Sequence, residues 1–482
     1  MHLSIVFKTI GLLLMIFSLT QLPPVLVDFL FDQGEYDAFI TAFTLTFLSG
    51  MVLYFPFRRS KRDFRIREGV IVVVSFWFVL SLFATIPFLV SDSLQMSFSD
   101  AFFESMSGLT TTGATVLQGL DQLPKAILYY RQQLQWLGGM GIIVLAVAVL
   151  PMLGVGSMEL YHAESSGISK DRLTPKLTQT AKALWQIYIV FTIFCALAYY
   201  LAGMDVFDAI GHSFSTVAIG GFSTHDASMG YFDSVAIESV AIVFMLLAGV
   251  NFSLHFLAIS QRRFLTYVKD SEFKAYAFIL GVTALVIITD LHETAYYQSW
   301  GESIRYGLFQ TVSIATTTGF ASTNFSLWPV LLPVLLIFAS FIGASAGSTG
   351  GGIKVVRVLL MFKLAMKEIK KFIHPNAYIS IKLNKKSVAE QTLVSVWGFF
   401  SLYVMAFVII MVALLFTGLD QVTSFSATAA SINNLGPGLG QVASNYASIS
   451  DSAKWILSFS MLLGRLEILT LMVLLHKAFW RF

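Results

Sequence analysis

The chemistry this chain can do lies mainly in short stretches of backbone. Thr110-Thr111-Thr112-Gly113 and Thr316-Thr317-Thr318-Gly319 carry the same four residues, and Ala218-Ile219-Gly220-Gly221 and Asn433-Asn434-Leu435-Gly436 are weaker copies aligned on the final glycine. Glycine allows dihedrals that other residues resist, so consecutive carbonyls can turn toward one axis. Threonine adds hydroxyl oxygens, and four such strands would build rings of oxygen able to replace a cation's hydration shell. Catalytic alternatives find little material. The 8 histidines form no HExxH pattern, and the single cysteine, Cys195, excludes disulfides within the chain and cysteine metal sites. Gly347 and Gly352 have the spacing of a phosphate loop, but Ile353 stands where lysine is needed and no strand precedes it.

The elements that must position these strands follow from composition. Hydrophobic residues make up 56% of the chain and charged residues 12%, against about 25% charge in soluble domains. This is a chain built for lipid. Apolar runs of bilayer length, roughly 20 residues, fall near 3–27, 37–57, 69–90, 133–155, 182–203, 233–259, 274–291, 328–345, 391–417 and 453–478. The first continues past Met15 without a small-residue cleavage site, so it reads as a permanent span.

Charge sets the orientation. Arg58, Arg59, Lys61, Arg62, Arg65 and Arg67 crowd one junction; Lys170, Arg172, Lys176 and Lys182 mark the next. Arg262, Arg263, Lys269 and Lys274 follow, and a last basic stretch runs from Lys354 through Lys371 to Lys386. The opposite ends are acidic: Asp205, Asp208, Asp226, Asp233 and Glu238 occupy 204–238 without one Lys or Arg. The positive-inside rule puts every basic junction and both termini in the cytoplasm.

From the third span onward each pair of spans encloses an outer segment of about a dozen apolar residues that breaks into Gly, Thr and Ser. A dozen helical residues rise only about 18 Å, so each must enter the membrane part-way and return. Asp100 and Asp208 both stand thirteen residues before their glycines. The expected fold is an all-α integral membrane protein with ten spans: an N-terminal hairpin (1–67) and four span–re-entrant loop–span repeats (68–165, 166–270, 271–385 and 386–482). Each re-entrant helix would aim its C-terminal end, carrying roughly −0.5 charge, at the membrane centre.

Three further features stand out. Five glycines fall within Gly343-Ala344-Ser345-Ala346-Gly347-Ser348-Thr349-Gly350-Gly351-Gly352, and at about 1 kcal/mol each they should break the eighth span inside the membrane, where irregular backbone must face a pathway or protein. Arg465 and Glu467 fall mid-way along the last span, where an arginine costs about 2.5–3.5 kcal/mol and should face a cavity or partner. It reads either as a positive barrier in a cation path or as a structural group, with Glu467 on another helix face and only partly compensating it. Asn251 and His255 read as interhelical hydrogen-bonders, and Gly138, Gly139 and Gly141 as close helix packing.

With the four repeats, the extra hairpin, Trp136-Leu137-Gly138-Gly139-Met140-Gly141, the glycine stretch and Gly464-Arg465-Leu466-Glu467 in view, the whole chain resembles the Trk/Ktr/HKT superfamily of potassium transporters, most closely its bacterial TrkH-type subunits. The resemblance implies four repeats around one ion pathway in the cytoplasmic membrane, filter facing outward. The filter would comprise Thr111, Thr112 and Gly113; Ile219, Gly220 and Gly221; Thr317, Thr318 and Gly319; and Asn434, Leu435 and Gly436. Gly113, where sodium-preferring relatives carry serine, implies K⁺, bound only as the transported ion. The resemblance also implies that residues 343–352 and Arg465 form a gate, that the protein dimerises with itself, and that a cytosolic, nucleotide-binding TrkA-type subunit regulates it. The basic stretch of Lys354, Arg357, Lys363, Lys367, Lys370 and Lys371 reads either as positive-inside anchoring or as a docking face for a cytosolic partner. Membrane lipid is the expected surrounding; no nucleic-acid partner is expected. Two other classes remain to be weighed. A carrier for an organic solute predicts inverted halves and midplane carboxylates. A membrane enzyme predicts convergent catalytic groups.

Overall fold

The computed structural model describes residues 3–60, 66–144 and 177–480. Lys61, Arg62, Arg65, Lys170, Arg172 and Lys176, and the fourth expected span beyond Val144, lie outside them. The described chain is helical, with one short antiparallel ladder pairing Lys382–Leu383 with Lys386–Ser387.

The N-terminal hairpin comprises α1 (Leu3–Ser18) continuing into α2 (Leu22–Phe31), then α3 (Tyr36–Tyr54). Its helices cross at Gly11 and Gly50, where a Cβ on either would come within 2.8 Å of the other helix's backbone. Small residues at such a crossing let backbones approach, the usual route to association where lipid offers no hydrophobic drive. The hairpin stays outside the repeats and leans on the first: Gln21 donates to the Tyr130 hydroxyl and Gln133 to the Thr20 carbonyl.

Repeat 1 holds α4 (Ile66–Ala84), α5 (Ile86–Val90), the re-entrant α6 (Phe98–Leu109) and α7 (Lys125–Val144). Repeat 2 holds α8 (Leu177–Leu201), the re-entrant α9 (Val206–Ala218), α10 (Val235–Ala248) and α11 (Phe252–Ser260), with α12 (Leu265–Lys269) leading out. Repeat 3 holds α13 (Ser271–Glu293), the re-entrant α14 (Trp300–Ala315), α15 (Leu331–Ile342) and α16 (Val355–Ile373). Repeat 4 holds α17 (Glu390–Phe416), the re-entrant α18 (Gln421–Ile432), α19 (Asp451–Arg465), α20 (Ile468–Leu475) and α21 (Lys477–Trp480).

All four re-entrant helices start the same way. Ser97, Asp205, Ser299 and Asp420 are N-caps whose side chains accept from Asp100, Asp208, Gly301 and Thr423 amides. The repeated Asp100 and Asp208 are thus third-position acids of a capping pattern, favourable near the positive helix end.

Among the described residues, six single helices are long and apolar enough to cross a bilayer, and two bent pairs bring the number to eight. The eighth expected span is the 12-residue α15, resumed as α16 after the glycine stretch. Two apolar runs read as single spans, 233–259 and 453–478, are broken. The α10–α11 pair bends by 91° and the α19–α20 pair by 111°. At the first break the Ser345 amide donates to the Gly249 carbonyl and the Phe252 amide to the Gly347 carbonyl, so the glycine stretch of repeat 3 satisfies backbone freed in repeat 2. At the second, Glu467 takes a left-handed φ of 56° and pairs with Arg357 of α16 at 2.8 Å.

Candidate ion pathway

The four strands after α6, α9, α14 and α18 share one backbone geometry despite different sequences. Thr111, Ile219, Thr317 and Asn434 all have positive φ, between 52° and 69°, and Gly113, Gly221, Gly319 and Gly436 follow with φ between 77° and 97°. The amides of Thr112, Gly220, Thr318 and Leu435 donate back to Ser107, Ser215, Ser313 and Ala430 carbonyls at 2.7–2.9 Å. Each strand therefore satisfies carbonyls left open at the end of its own helix; of the carbonyls of the twelve expected filter residues, only those of Gly220 and Gly436 accept a hydrogen bond among the described residues, from Gln135 and Tyr446.

The strands also close a ring. A Cβ on Gly113 would fall well under 3.0 Å from the Gly220 carbonyl oxygen; one on Gly221 would do the same at Thr318, and one on Gly319 at Leu435. A Cβ on Gly436 would lie 2.7 Å from the Thr112 carbonyl oxygen. Each glycine thus abuts the carbonyl before the glycine of the next repeat, in the order 1, 2, 3, 4 and back to 1. All twelve expected filter residues meet here. The Thr111 hydroxyl is buried with no hydrogen-bond partner among the described residues, an oxygen suited to a cation.

Side chains behind the strands came from no motif. Glu104 of α6 forms a buried ion pair with Arg131 of α7 at 2.7 Å and accepts from the Thr115 hydroxyl and Val116 amide just past the first strand. Arg131 also donates to the Ser223 carbonyl. Gln132 and Gln135 hold the second strand, and Asn434 donates to the Thr112 hydroxyl. The only sequence signal was charge and amide on otherwise apolar helices.

Outside the ring, His225 lies between Asp121 of repeat 1 and Asp208 of repeat 2, at 2.5 Å and 3.0 Å. Partial burial pulls its pKa down, but hydrogen bonds to Asp208 and Asp121 outweigh this, and the net shift is upward from 6.5. Its ring stacks on Tyr231 at 3.5 Å.

Beneath the ring, the glycine stretch touches all four repeats directly or through Arg465. The Thr349 hydroxyl donates to the Val217 carbonyl, the Gly351 amide to the Thr317 hydroxyl, and the Gly352 amide to the Asn433 carbonyl. Glu272 of α13 accepts from the Ala346 amide within the stretch and from the Val356 amide of α16 beyond it. Arg465, the last residue of α19, donates to the Thr349 carbonyl at 3.1 Å and to the Gly138 carbonyl of repeat 1 at 3.3 Å.

Four expectations need correction. Glu467 does not compensate Arg465, because it pairs with Arg357, and Arg465 has no ion pair among the described residues. Lys354 and Arg357 do not belong to a surface stretch. Lys354 donates to the Gly350 carbonyl and Arg357 is buried, so both line the cavity below the strands with Asn434, Arg465 and Glu467. Asn251 is a helix cap, accepting from the Ser253 amide, whereas His255 does bridge α11 to Tyr267 of α12. Gly138 and Gly139 pack tightly, against Leu109 and Ala218; Gly141 makes only ordinary contact with Trp77. Cys195 is buried, and no group of His, Cys, Asp or Glu among the described residues could hold a metal ion.

A family model described as a TrkH cation transport protein matches residues 35–480. The Trk system potassium uptake protein TrkH of Halomonas elongata is 52% identical over 484 residues, covering all of both chains. The protein of the same name from Escherichia coli K12 is 49% identical over 482 residues, again covering all of both. The crystal structure of the potassium transporter TrkH from Vibrio parahaemolyticus superposes with a TM-score of 0.93 at 50% identity, covering 100% of each chain.

Proposed function

The chain belongs to the TrkH family of cation transport proteins, and from that premise we propose that it takes up K⁺ across the bacterial cytoplasmic membrane through the ring of four strands. The observation that carries this reading is the cyclic contact of Gly113, Gly221, Gly319 and Gly436 with the next repeat's carbonyl, on one repeated φ pattern. Oxygen rings of fixed spacing replace a cation's hydration shell. Four helix C-termini, each carrying roughly −0.5 charge, aim at the same region and favour a dehydrated cation there.

The stretch from Gly343 to Gly352 and Arg465 act as the gate below. Its contacts to three strand or helix ends, and its bond from Arg465, support this role. Both termini lie in the cytoplasm and the strands open to the outside, as the basic and acidic loops indicate. A TrkA-type nucleotide-binding subunit regulates the gate from the cytosol, and two copies of the chain assemble. An organic-solute carrier is disfavoured: the repeats run the same way around the ring, and among the described residues the cavity below is lined by one acid, Glu467, already paired.

Purified protein in liposomes tests the proposal. Radioactive Rb⁺ uptake should greatly exceed Na⁺ uptake at equal gradients; equal uptake, or transport of neither, would overturn it.

A further inference from the structure

The second strand departs from the Thr-Thr-Thr-Gly pattern, and the neighbouring repeat supplies the reason. In repeats 1 and 3 a hydroxyl chain ties the strand to its own helix. Thr110 pairs with Thr112 at 2.8 Å and donates to Met106, and Thr316 pairs with Thr318 at 2.8 Å and donates to Val312. Repeat 2 has Ala218 and Gly220 at those positions, so the chain cannot form.

Gln135 of α7 occupies that place. Its Nε2 donates to the Gly220 carbonyl at 2.6 Å, and its Oε1 accepts from the Phe222 amide at 3.0 Å. One amide therefore grips the backbone on both sides of Gly221. Gln132, one turn earlier on the same helix, donates to the Phe222 carbonyl at 3.2 Å. Gln135 is fully buried, where an amide left unmatched would be costly. Gly220 is not among the residues with positive φ, so backbone conformation does not require glycine there. Space does: a Cβ would lie 2.5 Å from Gln135 Oε1 and 2.9 Å from Nε2.

We propose that Gln135 is a selectivity-determining positioning residue, which sets the Gly220 and Gly221 carbonyls from the adjacent repeat and replaces the missing threonine in trans. The proposal rests on the filter reading above. It predicts that threonine and glutamine are alternatives at this place.

The test compares Rb⁺/Na⁺ uptake ratios in liposomes at matched amounts of folded protein for Gln135→Met, Gln135→Ala, Gly220→Thr and the combined variant Gln135→Ala/Ala218→Thr/Gly220→Thr. Gln135→Met keeps the bulk without the hydrogen bonds, and its ratio should fall about tenfold, as net loss of one or two such bonds implies. Gly220→Thr alone should fall further, since it collides with the glutamine. The combined variant puts both threonines of the hydroxyl chain in place of the glutamine and should recover most of the ratio, a coupling expected for groups that share one place. A wild-type ratio in folded Gln135→Met overturns the proposal, as does a combined variant no better than the worse single. If a single variant does not fold, recovery of folding and ratio in the combined variant supports the proposal and failure of both opposes it. Gly113→Ser is the control: an altered ratio there with none at Gln135 rejects only this inference, whereas no change at either rejects the filter itself.

Discussion

Replacing Arg465 by alanine should open the closed pathway, and the size of the effect follows from its surroundings. The guanidinium is buried, has no carboxylate partner among the described residues and bridges the Thr349 carbonyl of the glycine stretch to the Gly138 carbonyl of repeat 1. Its charge is fixed, since arginine stays protonated. A K⁺ passing at about 6 Å, with an effective dielectric near 20, meets roughly 2.8 kcal/mol of repulsion, about a hundredfold in occupancy. Arg465→Ala removes that barrier and frees the Thr349 carbonyl, so basal Rb⁺ flux should rise by up to about a hundredfold. Arg465→Lys keeps the charge but, with one compact ammonium in place of a forked donor, cannot span both carbonyls as well; its flux should stay close to wild type with a modest leak. The assay is Rb⁺ influx into liposomes, normalised to folded protein by size-exclusion recovery. A well-folded alanine variant with unchanged or lower flux would refute the barrier.

Two other perturbations test neighbouring parts. Removing Gly347 to Gly350 should raise Rb⁺ flux while leaving the Rb⁺/Na⁺ ratio unchanged, because the strands above keep their own bonds; a folded deletion that conducts no faster means the gate lies elsewhere. His225 has a raised pKa because its hydrogen bonds to two carboxylates outweigh desolvation. Its clasp therefore contributes fully below the unfolded value of about 6.5 and is lost as pH rises through the higher folded value. The melting temperature of wild type should exceed that of His225→Gln most at acidic pH, with the gap closing as pH rises; a gap that widens with pH would show the sign is wrong.

What could be read from the sequence was whatever repeats or is encoded locally. The four strands were legible because glycine must follow the left-handed residue each time. The re-entrant helices were legible because Asp100 and Asp208 mark the same capping position. The break at Gly343 to Gly352 announced itself by composition. Contacts made through space between repeats were not legible. Gln135 and Gln132 look like ordinary polar residues on α7 until the second strand is laid against them. Glu104 and Arg131 are 27 residues apart, with nothing in either stretch naming the other. The bend at Glu467 has no proline or glycine run to mark it; a distant arginine, Arg357, draws the carboxylate away from the helix line. That same pairing removes even the partial compensation of Arg465 expected from Glu467.

The most direct measurement of the central claim is the Rb⁺/Na⁺ uptake ratio of Gly113→Ser, Gly221→Ser, Gly319→Ser and Gly436→Ser in liposomes. At the first three positions any side chain would fall well under 3.0 Å from the next strand's carbonyl oxygen, whereas at Gly436 the nearest such distance is 2.7 Å. Each also holds a positive φ that costs a non-glycine residue roughly 1–2 kcal/mol. A ring of carbonyls that selects K⁺ predicts a lowered ratio in all four, with Gly436→Ser the mildest. Four folded variants with the wild-type ratio would contradict it.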